Sequence, residues 1–395
     1  MLAVGLMKRL LPFSIFLALA FATSPKEPSG LHVSVRRVPN GGIQPQIVTD
    51  HAGILHLLYY AGDPAHGDLC YLRSSDAGHT WSVPLRVNSK PGSAIALGTI
   101  RGGQMAIGRQ GRVYVAWNGS SQAEPRGLMN PESQQTGAPM LYTRLDDYGT
   151  AFEPQRDLTI RTFGLDGGGT IAADERGHVY VAWHAKASGA PSGESGRQVW
   201  IASSSDDGKT FDGERPATDQ PTGACGCCGM AMYTDSGGVL RSLYRSATEG
   251  IHRDIYRLTS RDNARTFSDR KLDAWNINAC PMSSMAFAER EGKVEGAWET
   301  GGQVYFERLT VENAKRVSAP GSDKSHKHPR LSLASSGETL LVWTEGTGWN
   351  RGGAVAWQLY DSTEALTAEK GTEAGVPAWS FAAVTATSQG FLILY

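Results

Sequence analysis

One eight-residue pattern, Ser-x-Asp-x-Gly-x-Thr-aromatic, occurs four times along the chain in near-copies: Ser74–Trp81, Leu145–Phe152, Ser204–Phe211 and Ser260–Phe267. Each reads as a tight turn. The Asp carboxylate accepts backbone N–H groups across a hairpin, Gly takes a backbone angle that other residues resist, Thr braces the turn and the ring packs beneath it. The second copy, built on Asp147, Gly149 and Phe152, lacks the Ser and the Thr, and the fourth carries Ala264 in place of Gly. Asp76, Asp147, Asp206 and Asp262 are therefore read as structural residues. A chain that repeats one turn this often is assembled from copies of one small β unit.

A second periodicity frames the first. Seven pairs of strand-like runs, each split by a polar turn, recur from Gln46–Val48 with Ile54–Tyr60 to Phe381–Val384 with Phe391–Tyr395. Alternation and β-branched or aromatic content mark them as strands. Six pairs are followed by a third strand, and the seventh pair reaches Tyr395. The pattern predicts an all-β β-propeller of seven blades, with six as the alternative. An N-terminal strand at Leu31–Arg37 would complete the last blade, closing the ring and removing a free sheet edge. Residues 31–395 read as one domain, because a repeat architecture lets a single domain reach this length.

The repeated turn is the Asp-box, and over most of residues 31–395 the chain resembles the Asp-box (BNR-repeat) sialidase-like β-propellers. That resemblance implies a propeller of six blades and a glycan-cleaving top face. In that family three arginines hold the substrate carboxylate, a Tyr assisted by Glu is the nucleophile, and an Asp is the acid/base. The first arginine belongs to a Phe-Arg-Ile-Pro motif, where this chain has Gly42-Ile43-Gln44-Pro45. The Tyr-Ser stretch of the last blade is matched by Ala378-Trp379-Ser380, and an indole cannot replace a phenol as nucleophile. Sialidase hydrolysis is therefore not expected, and whether the chain is an enzyme stays open.

The first residues read as a secretory signal, 1–22: basic Lys8 and Arg9, an apolar Leu10–Ala20, and the small-x-small site Ala20-Phe21-Ala22. A polar stretch, 23–30, follows. The expected product is exported, to a periplasm or the cell exterior, and carries no membrane-spanning segment. Without Lys8 and Arg9 the chain has 36 basic and 39 acidic residues, a formal charge of −3 with no basic stripe. Nucleic acid is excluded as a partner on that ground. A small molecule, a metal ion or a glycan remains, with a monomer expected.

The cysteines carry the least ordinary signal. Cys225-Gly226-Cys227-Cys228 precedes the first strand of blade four, Cys280 that of blade five, and His326-Lys327-His328 that of blade six. Topology puts all three segments on one face, bordering the central channel. Cys225, Cys227, Cys228, Cys280, His326 and His328 are the candidate ligands of a soft metal, copper or zinc. The alternatives are a disulfide, with Cys280 as the natural partner of one cluster member, and redox thiol chemistry. Cys70, inside a strand, reads as a bystander. A glycan-active enzyme would instead use Glu299 and Glu345, which follow Trp298 and Trp343 at the ends of second strands, with Arg245 and Arg330. A non-catalytic recognition propeller is the third reading.

Overall fold

The computed structural model describes Met1 and residues 31–131, 133–321 and 325–395. The expected signal and the polar stretch 23–30 lie outside the described residues. Seven sheets, antiparallel but for one strand of the last, follow one another around a ring. Blade one comprises Ile43–Thr49, Leu55–Asp63, His66–Ser74 and Leu85–Arg86; blade two, Gln104–Ile107, Val113–Asn118, Met140–Arg144 and Arg156–Asp157. Blade three is built on Thr170–Ala173, Val179–Ala187, Gln198–Ser204 and Arg215–Pro216, with the short Thr162–Phe163 also paired to its second strand. Blade four runs through Ala231–Thr234, Leu240–Arg245, Ile255–Ser260 and Ser268–Asp273, and blade five through Ala286–Arg290, Lys293–Thr300, Gln303–Arg308 and Val317–Ser318. Blade six has His326–Leu333, Thr339–Glu345, Gly353–Tyr360 and Leu366–Val376. Each first strand touches the first strands of the blades on either side, so these strands line the central channel.

Blade seven closes the ring as the repeat count predicts, with one twist in direction. Ala383–Thr387 and Gly390–Leu394 form an antiparallel pair, and His32–Arg36 lies outside them, parallel to its neighbour. Two backbone bonds, Val38 N to Tyr395 O (3.0 Å) and Tyr395 N to Arg36 O (3.2 Å), extend this seam. The two chain ends thus occupy one sheet, and unfolding any blade opens the ring.

The cores lie between blades, and strand alternation explains them. Successive side chains of a strand point to opposite faces. In Val113–Asn118, the side chains of Val113, Val115 and Trp117 join the core shared with blade one, while Tyr114 and Ala116 join that shared with blade three. In Val179–Ala187, Val179, Val181 and Trp183 face blade two and Tyr180 and Ala182 face blade four. Trp117, Trp183, Trp298 and Trp343 are all buried as wedges between sheets.

Three of the four repeated turns are superimposable in their bonding. In the first, Asp76 takes the Thr80 N–H (2.9 Å) and the Thr80 hydroxyl (2.6 Å), and Ser74 Oγ takes the Gly78 N–H (2.9 Å). Asp206 with Thr210 and Asp262 with Thr266 repeat this. All three have positive φ at the two residues after the Asp, Ala264 included. The second copy departs by one position. Asp146, not Asp147, accepts the Thr150 N–H (2.8 Å) and hydroxyl (3.1 Å), and only Gly149 in that turn has positive φ. With the left-handed residue placed at the fourth turn position, the bracing carboxylate moves back by one. Asp147 instead pairs with Arg112 at 2.5 Å.

Candidate functional site: a three-cysteine cluster

The loop from blade three to blade four is fixed backbone atom by backbone atom. Cys225 N–H donates to Arg245 O (2.9 Å), Cys228 N–H to Cys225 O (3.4 Å), and Gly229 N–H to Ser283 O (2.9 Å) in the next loop. Gly226 N–H donates to Glu194 Oε1 at 2.7 Å. A side chain at Gly226 would run into Arg197 and Asp166, each 2.6 Å from where a Cβ would sit. The outcome is a compact turn that points three sulfurs at one another.

Cys225 Sγ lies 3.3 Å from Cys227 Sγ and 3.6 Å from Cys228 Sγ, and all three sulfurs fall within 4.8 Å. Cys225 and Cys228 are 0% and 1% exposed, whereas Cys227 keeps an opening to solvent. All five cysteines are free thiols. Among the described residues no other group of His, Cys, Asp and Glu converges in this way.

Electrostatics single out one thiol. Burial opposes ionisation of Cys228, but S–H groups of Cys225 and Cys227, the Arg245 guanidinium and the Ser283 N–H outweigh it and hold the thiol well below its ordinary value. Cys227 is driven the other way by hydrogen bonding with Cys225 and Cys228 and by burial. At Cys225 the bond with Cys227 pulls downward, yet Cys228 and burial lift the thiol overall.

Two arginines, one ending a strand and one in the loop after it, lie against the cysteine loop. Arg245, 1% exposed, donates to Arg253 O (2.8 Å) and to the Glu299 backbone carbonyl, and meets Glu299 Oε2 at 3.3 Å. Arg253 donates to Glu194 Oε2 at 2.7 Å. From Glu194 an ion chain continues through Arg197 (3.5 Å), Asp166 (3.4 Å) and Arg101 (2.5 Å). Two buried imidazoles flank the cluster. His184 Nε2 sits 3.2 Å from Cys228 O, its Nδ1 has no partner, and burial pulls it down to about 4. His328 Nδ1 is 3.3 Å from Ser284 Oγ, and burial pulls it down to about 3. Both rings are neutral at pH 7.

The structure thus gathers three of the six proposed ligands directly, with His328 beside them. Cys280 is exposed in the following loop, outside the cluster. His326 belongs to a different network, with Gln303 Oε1 at 2.7 Å and Glu345 Oε1 at 3.5 Å. Of the carboxylates, Glu299 is 1% exposed; burial raises it against the pull of Arg245 and the Gly302 N–H. Glu345 Oε1 accepts from Trp343 Nε1 at 3.2 Å. Arg330 lines the channel, with its Nη1 on Ser284 Oγ (3.0 Å) and its guanidinium 4.3 Å from the Phe381 ring centre; burial alone pulls it down to about 10. Sequence reasoning missed Asp166, Glu194 and Arg197 in the loops of blade three and Arg253 in blade four, which carry no local signature. His184, in the second strand of blade three, is likewise buried against Cys228. Two clefts of about 200 Å³ lie elsewhere, one beside the Asp76 turn and one between Tyr180 and Asn263.

No protein-family model matches the chain, and no curated protein matches it. Solved structures do. A Hadza microbial sialidase, Hz136, aligns with a TM-score of 0.50 at 17% identity over 77% of this chain; the chain spans 63% of that protein. The Ruminococcus gnavus intramolecular trans-sialidase aligns at 0.51 and 10% identity, over 83% of this chain and 96% of the other. A Penicillium chrysogenum α-L-arabinanase aligns at 0.50 and 15% identity, over 84% and 96%. The chain shares the β-propeller fold of these proteins. At these identities the likeness is one of fold, and this propeller has seven blades where the resemblance in sequence implied six. Among the described residues, no helix is long and apolar enough to cross a membrane.

Proposed function

We propose that this propeller binds one soft metal ion, copper(I) or zinc, through Cys225, Cys227 and Cys228, and serves in metal handling. The observation that carries the reading is the convergence of three sulfurs to within 4.8 Å. Zinc–thiolate bonds of about 2.3 Å place tetrahedral sulfurs roughly 3.8 Å apart, so an ion fits with small side-chain rotations. Thiolates of this softness select copper(I) or zinc over hard cations. Cys227 leaves one side of the cluster open to exchange, unlike a sealed structural site. The test is metal titration of the stripped, reduced protein followed by native mass spectrometry. One equivalent bound by wild type and lost in Cys227→Ser and Cys228→Ser supports the reading; no binding overturns it.

A glycan-directed top face is the second reading, favoured by Trp349. It is 45% exposed, with the Arg101 guanidinium 5.7 Å from its ring centre. Its fold neighbours named as sialidases and an arabinanase support it. A glycan array with Trp349→Ala as control tests binding, and turnover lost in Glu345→Gln tests catalysis. With either reading goes export of a monomer after cleavage near Ala22, checked by sequencing the mature N-terminus and by light scattering.

A further inference from the structure

We propose that the cysteine loop also performs thiol–disulfide exchange, with Cys227 as attacking sulfur, Cys225 as resolving sulfur and a low-molecular-weight disulfide as co-substrate. Three geometric facts lead there. Cys227 alone of the three has access to solvent, so only its sulfur can meet an incoming disulfide. Cys225 Sγ is already 3.3 Å away, and closing to a bond of about 2.05 Å asks for side-chain rotation within the turn. Cys228, the direct sequence neighbour of Cys227, is poorly placed to bond it, because adjacent residues cannot reach relaxed disulfide geometry.

The step balances as follows. The Cys227 sulfur attacks one sulfur of R–S–S–R; that bond breaks, and the first R–SH leaves with the Cys227 proton. The Cys225 sulfur then attacks the Cys227 sulfur of the mixed disulfide and expels the second R–SH, which takes the Cys225 proton. Two protein thiols are oxidised by two electrons, and the small disulfide is reduced to two thiols. The proposal uses the same sulfurs as the metal site but does not depend on metal binding. The Cys225–Cys227 disulfide and a bound ion exclude each other, since the oxidised pair offers no thiolate.

The experiment takes the full chain, reduced and metal-stripped, incubates it with oxidised glutathione, quenches with an alkylating reagent and maps peptides by mass spectrometry. Expected are a Cys225–Cys227 disulfide in wild type, a glutathione adduct at Cys227 accumulating in Cys225→Ser, and an unchanged Cys225–Cys227 bond in Cys228→Ser. Recovery of Cys225 and Cys227 both alkylated in wild type, or a disulfide formed instead by Cys225 with Cys228 or Cys280, overturns the proposal. The wild-type map needs no variant, so a misfolded mutant does not obscure the answer. Titration of the same stripped protein with copper(I) and zinc separates the two readings. Binding without exchange removes this proposal alone, and exchange without binding removes the metal reading alone.

Discussion

Arg245 and Glu299, from neighbouring blades four and five, are each 1% exposed and meet at 3.3 Å directly beneath the cysteine loop. The same guanidinium stacks 5.1 Å from the Trp275 ring centre and lowers the thiol of Cys228. One buried cation therefore joins two blades and caps a strand end beside the cluster.

Removing that cation leaves a buried carboxylate without its partner. Arg245→Met is expected to destabilise the fold by about 3–5 kcal/mol. Glu299→Gln keeps an acceptor for the Gly302 N–H and for Arg245, and should cost only about 1–2 kcal/mol. Urea denaturation of the two variants checks the order; equal losses would mean the pair is not coupled as described.

Gly208 and Ala264 occupy the same place in two copies of the turn, but only one tolerates a side chain. A Cβ on Gly208 would overlap the hydroxyl of Tyr142, a fully buried ring that also donates to Gly208 O at 3.2 Å. Gly208→Ala should lower stability by about 1–3 kcal/mol. Thermal unfolding at neutral pH measures it.

The second turn offers a discrimination between adjacent residues. Asp146→Ala removes the acceptor for two bonds from Thr150, whereas Asp147→Ala removes an exposed pair with Arg112. Asp146→Ala is expected to lower the unfolding midpoint, and Asp147→Ala to do so less, with an effect that shrinks as salt is raised. A larger loss at Asp147 would restore the register read from sequence.

Acid should unfold the propeller partly through these turns. The hydroxyl and backbone N–H of Thr266, with Ser260, hold Asp262 down to about 2; at Asp206 partial burial opposes the shift, but Thr210 and Ser204 outweigh it and reach about 2 as well. Both carboxylates bind protons less readily folded than unfolded. Their contribution is complete above the unfolded value near pH 4 and is lost as pH falls towards about 2. Denaturant midpoints across pH 6 to 2 (roughly the carboxylate range) should fall along that window, less steeply in Asp206→Asn.

Thiol accessibility gives a direct reading of the site. With a maleimide alkylating reagent, which cannot start disulfide exchange, exposed Cys280 should react first and Cys227 next, while Cys225 and Cys228 wait for unfolding. Five equivalents in denaturant complete the count. Rapid reaction of all three cluster cysteines in the native protein would contradict the packing of the loop.

Strands and turns were legible because their signals are local. Alternation in Val113–Asn118 and Val179–Ala187 names the faces those residues take, and the paired runs number the blades. The closure of the ring by residues near 31–37 followed from an unpaired seventh repeat, although its parallel direction did not. The second turn resisted the same treatment, since Asp146 and Asp147 both fit its spacing to Phe152 and only hydrogen bonds choose between them.

For the site, the sequence alone determined what is contiguous: three cysteines in four residues, placed by topology on the channel face. Tertiary structure decided everything that depends on side-chain direction and on partners from other blades. It left Cys280 and His326 outside the cluster and set Arg245, Arg253, Glu194, His184 and His328 around it. A repeat fixes where a backbone goes. Which way a loop side chain turns is settled by what it meets there, and those neighbours come from strands and loops about twenty to one hundred residues away.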